Sequence, residues 1–118
     1  MELNNVLNRE ELFARVDDDV ELLGELIELF LEDYPDLITE IEKAIQQKDA
    51  IALKKAAHTL KGAVGNFCAE GAFEASRKLE SMGAQGNLET VAADFQQLQQ
   101  EMQNVTKALQ EISREYCQ

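Results

Sequence analysis

The sequence of 118 residues is poor in proline, glycine and histidine, and it has no tryptophan. The one proline leaves long stretches without a helix breaker, while Ala, Leu, Glu and Gln, which favour helix, supply 55 of the residues. The composition therefore predicts an all-α fold. Glycine-rich loops after strands are absent and the chain is short, which argues against a protein kinase, a nucleotide-binding α/β domain and a barrel enzyme.

Basic side chains are also scarce, with 11 Lys and Arg against 23 Asp and Glu and a net charge of −12. Nucleic acids and anionic membranes are bound by an excess of Lys and Arg, so neither is an expected partner. No apolar run approaches the ~20 residues of a membrane span, and the chain begins with a polar, acidic segment instead of a signal peptide. We expect a soluble cytoplasmic protein.

The two cysteines, Cys68 and Cys117, lie far apart and outside any metal-binding spacing, so we expect free thiols. The length is that of one domain. We expect a single domain over residues 1–118 that needs neither a metal nor a disulfide to fold and that has no cofactor of its own.

Apolar spacing and capping residues predict five helices, with approximate bounds 8–16, 23–45, 49–66, 69–82 and 87–116. Pro35 lacks a backbone donor, so the second helix is expected to kink or break there. Gly83 is expected to stop the fourth helix, and Asn87 to cap the fifth.

The fifth helix has an apolar seam with regular steps of three and four residues, which suits a coiled-coil dimer or an antiparallel bundle. Its members are Leu88, Val91, Phe95, Leu98, Met102, Val105, Leu109, Ile112 and Tyr116. The bundle is favoured because the other amphipathic helices also need a partner. We expect a monomeric antiparallel four-helix bundle with a short extra N-terminal helix.

The single histidine, His58, falls on the solvent side of the third helix. At about 100° per residue, it shares that side with residues that are either basic or lack a side chain. These are Lys54, Lys55, Lys61, Gly62 and Gly65. Each exposed helical glycine costs about 1 kcal/mol relative to alanine, which close approach of another protein to the imidazole would explain.

A lone surface histidine among lysines is usually only solvated surface. Metal binding would need further ligands three or four residues away, where the chain has Lys and Gly. A hydrolase dyad would need a neighbouring Ser or Cys, and Thr59 points away. The remaining chemistry is an imidazole that itself accepts a phosphoryl group, with Lys61 as the best candidate to balance the added charge.

The run Ala56-Ala57-His58-Thr59-Leu60-Lys61-Gly62-Ala63-Val64-Gly65-Asn66 closely resembles the histidine-containing phosphotransfer (HPt) domain of phosphorelays. The likeness extends to Phe30 with the acidic stretch after it, to Ala44 and Asp49, to Leu79-Glu80 and to the final helix. It covers nearly the whole chain. Cys68 departs from the family, which commonly has glycine at this turn.

The resemblance implies a helical bundle that takes a phosphoryl group from one receiver-domain aspartate and passes it to another. His58 would be phosphorylated, Lys61 would be its charge partner, and Gly62 the gap for the receiver. Glu80 would hydrogen-bond the other ring nitrogen, fix the tautomer and raise the basicity of the reacting nitrogen. Such a carrier is not an enzyme with a nucleotide site, and the Mg²⁺ would belong to the receiver.

The resemblance also implies a docking surface for receiver domains, possible partners being those of the same hybrid sensor kinase. Lys54, Lys55, Gly62 and Gly65 are candidate contacts. Leu12 and Phe13 would either add apolar contacts there or cap the end of the bundle. Residues 50–80 carry five basic and three acidic side chains, against four and 15 in residues 1–49, so this basic island could steer an acidic receiver.

Two alternatives stay open. The chain could be a non-catalytic helical or coiled-coil interaction module in which His58 is passive. The phosphoacceptor region of a sensor kinase is a weaker alternative, because the Glu and Arg-Thr-Pro that follow histidine there are absent. We favour the terminal domain of a hybrid kinase over a free-standing protein.

Overall fold

The computed structural model describes residues 6–116. Within that range the chain forms five helices and no strand, which confirms the all-α prediction. The helices are α1 (Arg9–Arg15), α2 (Val20–Gln46), α3 (Ala50–Gly65), α4 (Glu70–Gln85) and α5 (Val91–Tyr116). In the bundle, α3 packs against α2 and α4, and α5 packs against the same two helices. The short connections 47–49, 66–69 and 86–90 make consecutive helices antiparallel.

Three helices begin at a side-chain cap. Asn8, Asp19 and Asp49 each accept a hydrogen bond at 3.0 Å from the backbone N–H three residues later. These bonds satisfy donors that a helix start leaves without partners. The caps predicted at Asn8 and Asp49 are confirmed.

Of the kink or break expected at Pro35, the break is wrong, because α2 continues through this residue to Gln46. Pro35 is exposed, so its ring meets solvent instead of a neighbouring helix. The two halves of α2 pack on one core, since Phe30 and Ile41 are both buried. This packing outweighs the cost of about 3 kcal/mol for an interior proline.

The predicted boundary between α4 and α5 is also wrong. Gly83 lies inside α4 and is buried, and the helix ends at Gly86, which has the left-handed φ of 70° that favours glycine. Asn87 accepts a hydrogen bond from the N–H of Glu89, and α5 begins only at Val91. Asn87 therefore shapes the loop and does not cap the helix.

The seam of α5 lies inside the bundle. The seven seam residues from Val91 to Ile112 are at most 8% exposed, Leu88 is partly buried, and the side chain of Tyr116 lies outside the described residues. A seam buried within one chain is not available for a coiled-coil dimer. The bundle prediction is therefore confirmed over the coiled coil.

The short α1 is attached to one end of the bundle. The N–H of Asn8 donates to the carbonyl of Cys68, and Arg9 pairs with Glu111 and Glu115 of α5. Cys68 has a free, partly buried thiol, and Cys117 lies outside the described residues. In the part of the chain described, no helix has the length and apolar character needed to span a membrane.

Candidate functional site

His58 projects from the middle of α3 with 67% of its side chain exposed. Its ring nitrogen Nδ1 lies 2.7 Å from Oε2 of Glu80 on α4. The contact holds the ring by one nitrogen and leaves Nε2 without an intramolecular partner in residues 6–116. The predicted pairing of His58 with Glu80 is therefore present in the geometry.

Glu80 has a second partner on α3. Its Oε1 lies 2.7 Å from Nζ of Lys61, which also lies 5.9 Å from the centre of the Phe73 ring. The side chains of Glu80 and Lys61 are 18% and 23% exposed, so solvent screens this pair less than an exposed one. Imidazole, carboxylate and ammonium thus form one connected group.

The charge state of Glu80 assigns the tautomer of His58. The hydrogen bond from Lys61 lowers the pKa of Glu80 below its ordinary value, and the bond with His58 acts in the same direction. Glu80 is therefore a carboxylate at neutral pH, and a carboxylate can only accept. With Glu80 as the acceptor, the hydrogen of a neutral imidazole lies on Nδ1 and the ring lone pair lies on Nε2.

Two glycines set the close packing of α3 on α4 around this group. A methyl group at Gly83 would lie 2.6 Å from the backbone nitrogen of Lys54, a distance that real Cβ atoms do not show. A methyl group at Gly65 would lie 3.3 Å from Cδ2 of Phe73. The two contacts flank the pair of His58 and Glu80 along the helices.

Gly62 and Gly65 differ in what their missing side chains allow. A methyl group at Gly62 would meet nothing within 4 Å, so no packing within the described residues requires glycine there. Gly65, which we expected to lie free on the surface, faces the Phe73 ring. Its smallness is accounted for by packing between α3 and α4, whereas the space beside Gly62 is open to a partner.

The other predicted contact residues divide between surface and core. Lys54 and Lys55 are exposed on α3, as the helical wheel predicts. Leu12 is only 1% exposed and belongs to the core, which among its two predicted roles favours capping the end of the bundle. Phe13 is partly buried against the core.

Two grooves border the histidine, one on each side. The first, which we call the leucine groove, has a volume of about 560 Å³ and lies between α1, α2 and α3. Leu26 and Leu29 line it at 39% and 55% exposure, above the aromatic rings of Phe30 and Phe67. The sequence pattern of α2 did not lead us to predict this surface. The indication in the sequence was Leu29, an apolar residue of α2 that does not fall on the helix face expected to be buried.

The second groove, which we call the lysine groove, has a volume of about 940 Å³ and lies mainly between α2 and α3. His58 and Glu80 lie along it, as do three lysines. Thr59 lines both grooves. The neighbourhood of the histidine is therefore a broad surface suited to a protein partner.

Among residues 6–116, no three His, Cys, Asp or Glu side chains come together as a metal cluster. A helical bundle that presents one exposed imidazole, held by a carboxylate through a single ring nitrogen, has the construction of a histidine phosphotransfer protein. The family model of the Hpt domain matches residues 25–108, and the chain belongs to this family. No curated protein and no solved structure gives a significant match.

Membership of the Hpt family establishes the general role of the chain as a phosphotransfer carrier in phosphorelays, where such domains interact with receiver domains of response regulators. His58, Lys61 and Glu80 all fall within the matched residues. Leu12 and Phe13 precede them.

Proposed function

We propose that the protein is a phosphorelay intermediate in which Nε2 of His58 accepts a phosphoryl group from the aspartate of one receiver and transfers it to the aspartate of another. The contact of 2.7 Å between Nδ1 and Glu80 carries this proposal. This contact supports a proton on Nδ1 and a free lone pair on Nε2. Family membership supports the general role.

In the forward step the Nε2 lone pair forms a bond to phosphorus as the bond between phosphorus and the aspartyl oxygen breaks. The aspartate leaves as a carboxylate, and the Nδ1 proton stays on the ring against Glu80. In the second transfer a new aspartate oxygen attacks, the nitrogen–phosphorus bond breaks, and its electron pair returns to Nε2. Glu80 favours the forward step because it stabilises the positive charge that develops on the phosphorylated ring, and in the second transfer it keeps the hydrogen on Nδ1.

Lys61 is the charge partner in this proposal. A phosphoryl group adds up to about two negative charges at neutral pH, and it is attached to a ring already bound to a carboxylate. Lys61 is held beside that carboxylate at 2.7 Å. Its ammonium group offsets the negative charge of the carboxylate. Because Lys61 lies one helical turn after His58, the same ammonium group can also reach the phosphoryl group.

The leucine groove is the proposed seat of the receiver. It exposes large apolar side chains and shares Thr59 and Ala63 with the helix that carries His58. A partner seated there brings its atoms over α3, where Gly62 leaves open space. Leu12 of α1 lines the same groove, and Phe13, the next residue, is partly buried against the core.

The wider setting is proposed on the same basis. The chain supplies the nucleophile and the docking surface, so it is not an enzyme with its own nucleotide site, and the Mg²⁺ of the reaction belongs to the receiver. We propose that residues 1–118 form one domain that does not dimerise by itself and that acts in the cytoplasm as the terminal domain of a hybrid sensor kinase.

The test is transfer from a receiver domain charged with labelled phosphate. Wild-type protein is expected to gain an acid-labile, alkali-stable label, and His58→Gln is expected to gain none. Circular dichroism of both proteins verifies that the exposed substitution leaves the helices intact. An unlabelled wild type, or equal label on His58→Gln, would favour the non-catalytic interaction module.

A further inference from the structure

The lysine groove extends the site away from the leucine groove. We propose that it is a second contact surface for the receiver. This surface selects receivers in which carboxylates surround an apolar side chain next to the reactive aspartate. The inference rests on the proposed function, because it assigns a role to a surface that only a protein docked at His58 would reach.

The lysine groove adjoins the proposed seat of the receiver. The lysine groove contains His58 and Glu80 on its wall and meets the leucine groove at Thr59. A receiver that seats in the leucine groove and reaches Nε2 therefore extends to the near edge of the lysine groove. The two grooves form one continuous footprint with the imidazole between them.

Part of the lysine groove is apolar. Ile51 is 76% exposed, the highest exposure of any large hydrophobic residue described. Beside it the groove is lined by three small residues, Ala44, Ala52 and Ala56, two of which are buried. A projecting isoleucine beside a floor of small side chains fits an apolar side chain of a partner.

The lysine groove also carries basic side chains. Lys43, Lys54 and Lys55 line the groove, and none has an ion-pair partner among residues 6–116, whereas Lys61 pairs with Glu80 and Lys78 with Asp94. Three unpaired ammonium groups in a chain of net charge −12 make a local basic surface. Carboxylates of a partner complement it and would gain both attraction and faster encounter.

A second copy of the chain fits this groove less well than a receiver. Each copy carries a net charge of −12, so two copies repel at distances beyond the local contact. Glu40 also lines the groove and would oppose the acidic face of a second α2. A receiver with a compact acidic patch does not bring that excess of charge.

The experiment measures the dissociation constants of unphosphorylated protein for several receiver domains by calorimetry. The test variants are the double variant Lys43→Glu/Lys55→Glu and the single variant Ile51→Ser. Lys107→Glu is the charge-reversal control, because Lys107 is an exposed lysine of α5 and lies outside both grooves. It changes the net charge half as much as the double variant does. All substituted side chains are exposed, and circular dichroism verifies the fold.

We expect the double variant to weaken binding about tenfold or more at low salt, most for the most acidic receivers, with a smaller loss at high salt. Ile51→Ser is expected to weaken binding several-fold, and Lys107→Glu by less than about twofold. The inference would be overturned if the double variant bound every receiver with the same dissociation constant as the wild type. It would also be overturned if Lys107→Glu weakened binding as much as the double variant does. Sedimentation showing a wild-type dimer that the double variant abolishes would overturn it as well.

Transfer to wild-type protein separates this inference from the proposed function. If the wild type gains no label on His58, the proposed function itself fails. If the wild type is labelled and the double variant binds all receivers as the wild type does, only the role of the lysine groove fails.

Discussion

Gly83 of α4 packs directly on the backbone of Lys54 in α3. A methyl group on Gly83 would lie 2.6 Å from the Lys54 nitrogen and 2.7 Å from the carbonyl oxygen of Ala50. Glu80 lies one turn before Gly83, and His58 lies one turn after Lys54. The glycine therefore sets the spacing of the two helices where the carboxylate meets the imidazole.

Gly83→Ala is expected to destabilise the protein by about 1–3 kcal/mol, because backbone atoms of α3 cannot yield as a flexible side chain can. Urea unfolding followed by circular dichroism measures the change. The variant should also slow phosphotransfer under conditions where it is fully folded, because Glu80 moves away from His58. Unchanged stability would show that the close packing of α3 on α4 is not needed.

Gly62→Ala is expected to have the opposite effect on stability. The space around Gly62 is open, and alanine favours helix by up to about 1 kcal/mol, so the free energy of unfolding should rise. Transfer from a receiver should nevertheless slow, because the methyl group enters the space proposed for the partner. A stabilised variant with wild-type transfer kinetics would remove Gly62 from the docking surface.

Glu80→Gln and Glu80→Ala separate hydrogen bonding from charge at the imidazole. The amide oxygen of glutamine can still accept from Nδ1 but does not carry the charge that stabilises the phosphorylated ring. We expect transfer rates to fall about tenfold in Glu80→Ala, with Glu80→Gln between it and the wild type. Nitrogen NMR of the ring should show the Nδ1–H tautomer in the wild type and a mixture in Glu80→Ala. Wild-type rates in Glu80→Ala would contradict the positioning role.

The same carboxylate makes a pH-dependent contribution to stability. Because Lys61 lowers the pKa of Glu80 in the folded protein, the interaction stabilises the fold above the unfolded pKa of glutamate, about 4.3. The contribution declines as the pH falls below that value towards the lower folded pKa. Unfolding curves of wild type and Glu80→Gln, measured from pH 7 to pH 3, should therefore converge at the acidic end. A constant difference across this range would contradict the assignment.

Leu29→Ser tests the leucine groove, with Leu22→Ser as its control. Both leucines are exposed on α2, at 55% and 41%, but only Leu29 lines the groove. We expect Leu29→Ser to raise the dissociation constant for a receiver several-fold and Leu22→Ser to have little effect. Equal effects of the two substitutions would place the receiver elsewhere.

The exposure of His58 was predictable because it depends on a local pattern. A helical wheel is sufficient to put His58 on the exposed side of α3, since the buried positions of that helix follow a regular spacing. The pairing with Glu80 is different, because it joins two helices. It came from family resemblance, and the spacing of apolar residues could not have provided it.

The errors have a common cause in tertiary packing. Pro35 and Gly83 are local helix breakers, yet both lie inside helices because the surrounding core keeps those helices continuous. The role of Leu12 stayed open between docking and capping because a seven-residue helix shows too short a pattern to identify its buried face. Gly65 was taken as open surface because the wheel does not show that Phe73 of α4 covers it.

The most direct test of the central claim identifies which nitrogen of which residue carries the phosphoryl group. Protein labelled with ¹⁵N is phosphorylated by a charged receiver domain, and the ring nitrogens are observed by NMR together with their coupling to ³¹P. The account predicts a phosphorus–nitrogen bond at Nε2 of His58 and a hydrogen retained on Nδ1. Phosphate on Nδ1, on another residue or nowhere on the chain would contradict it.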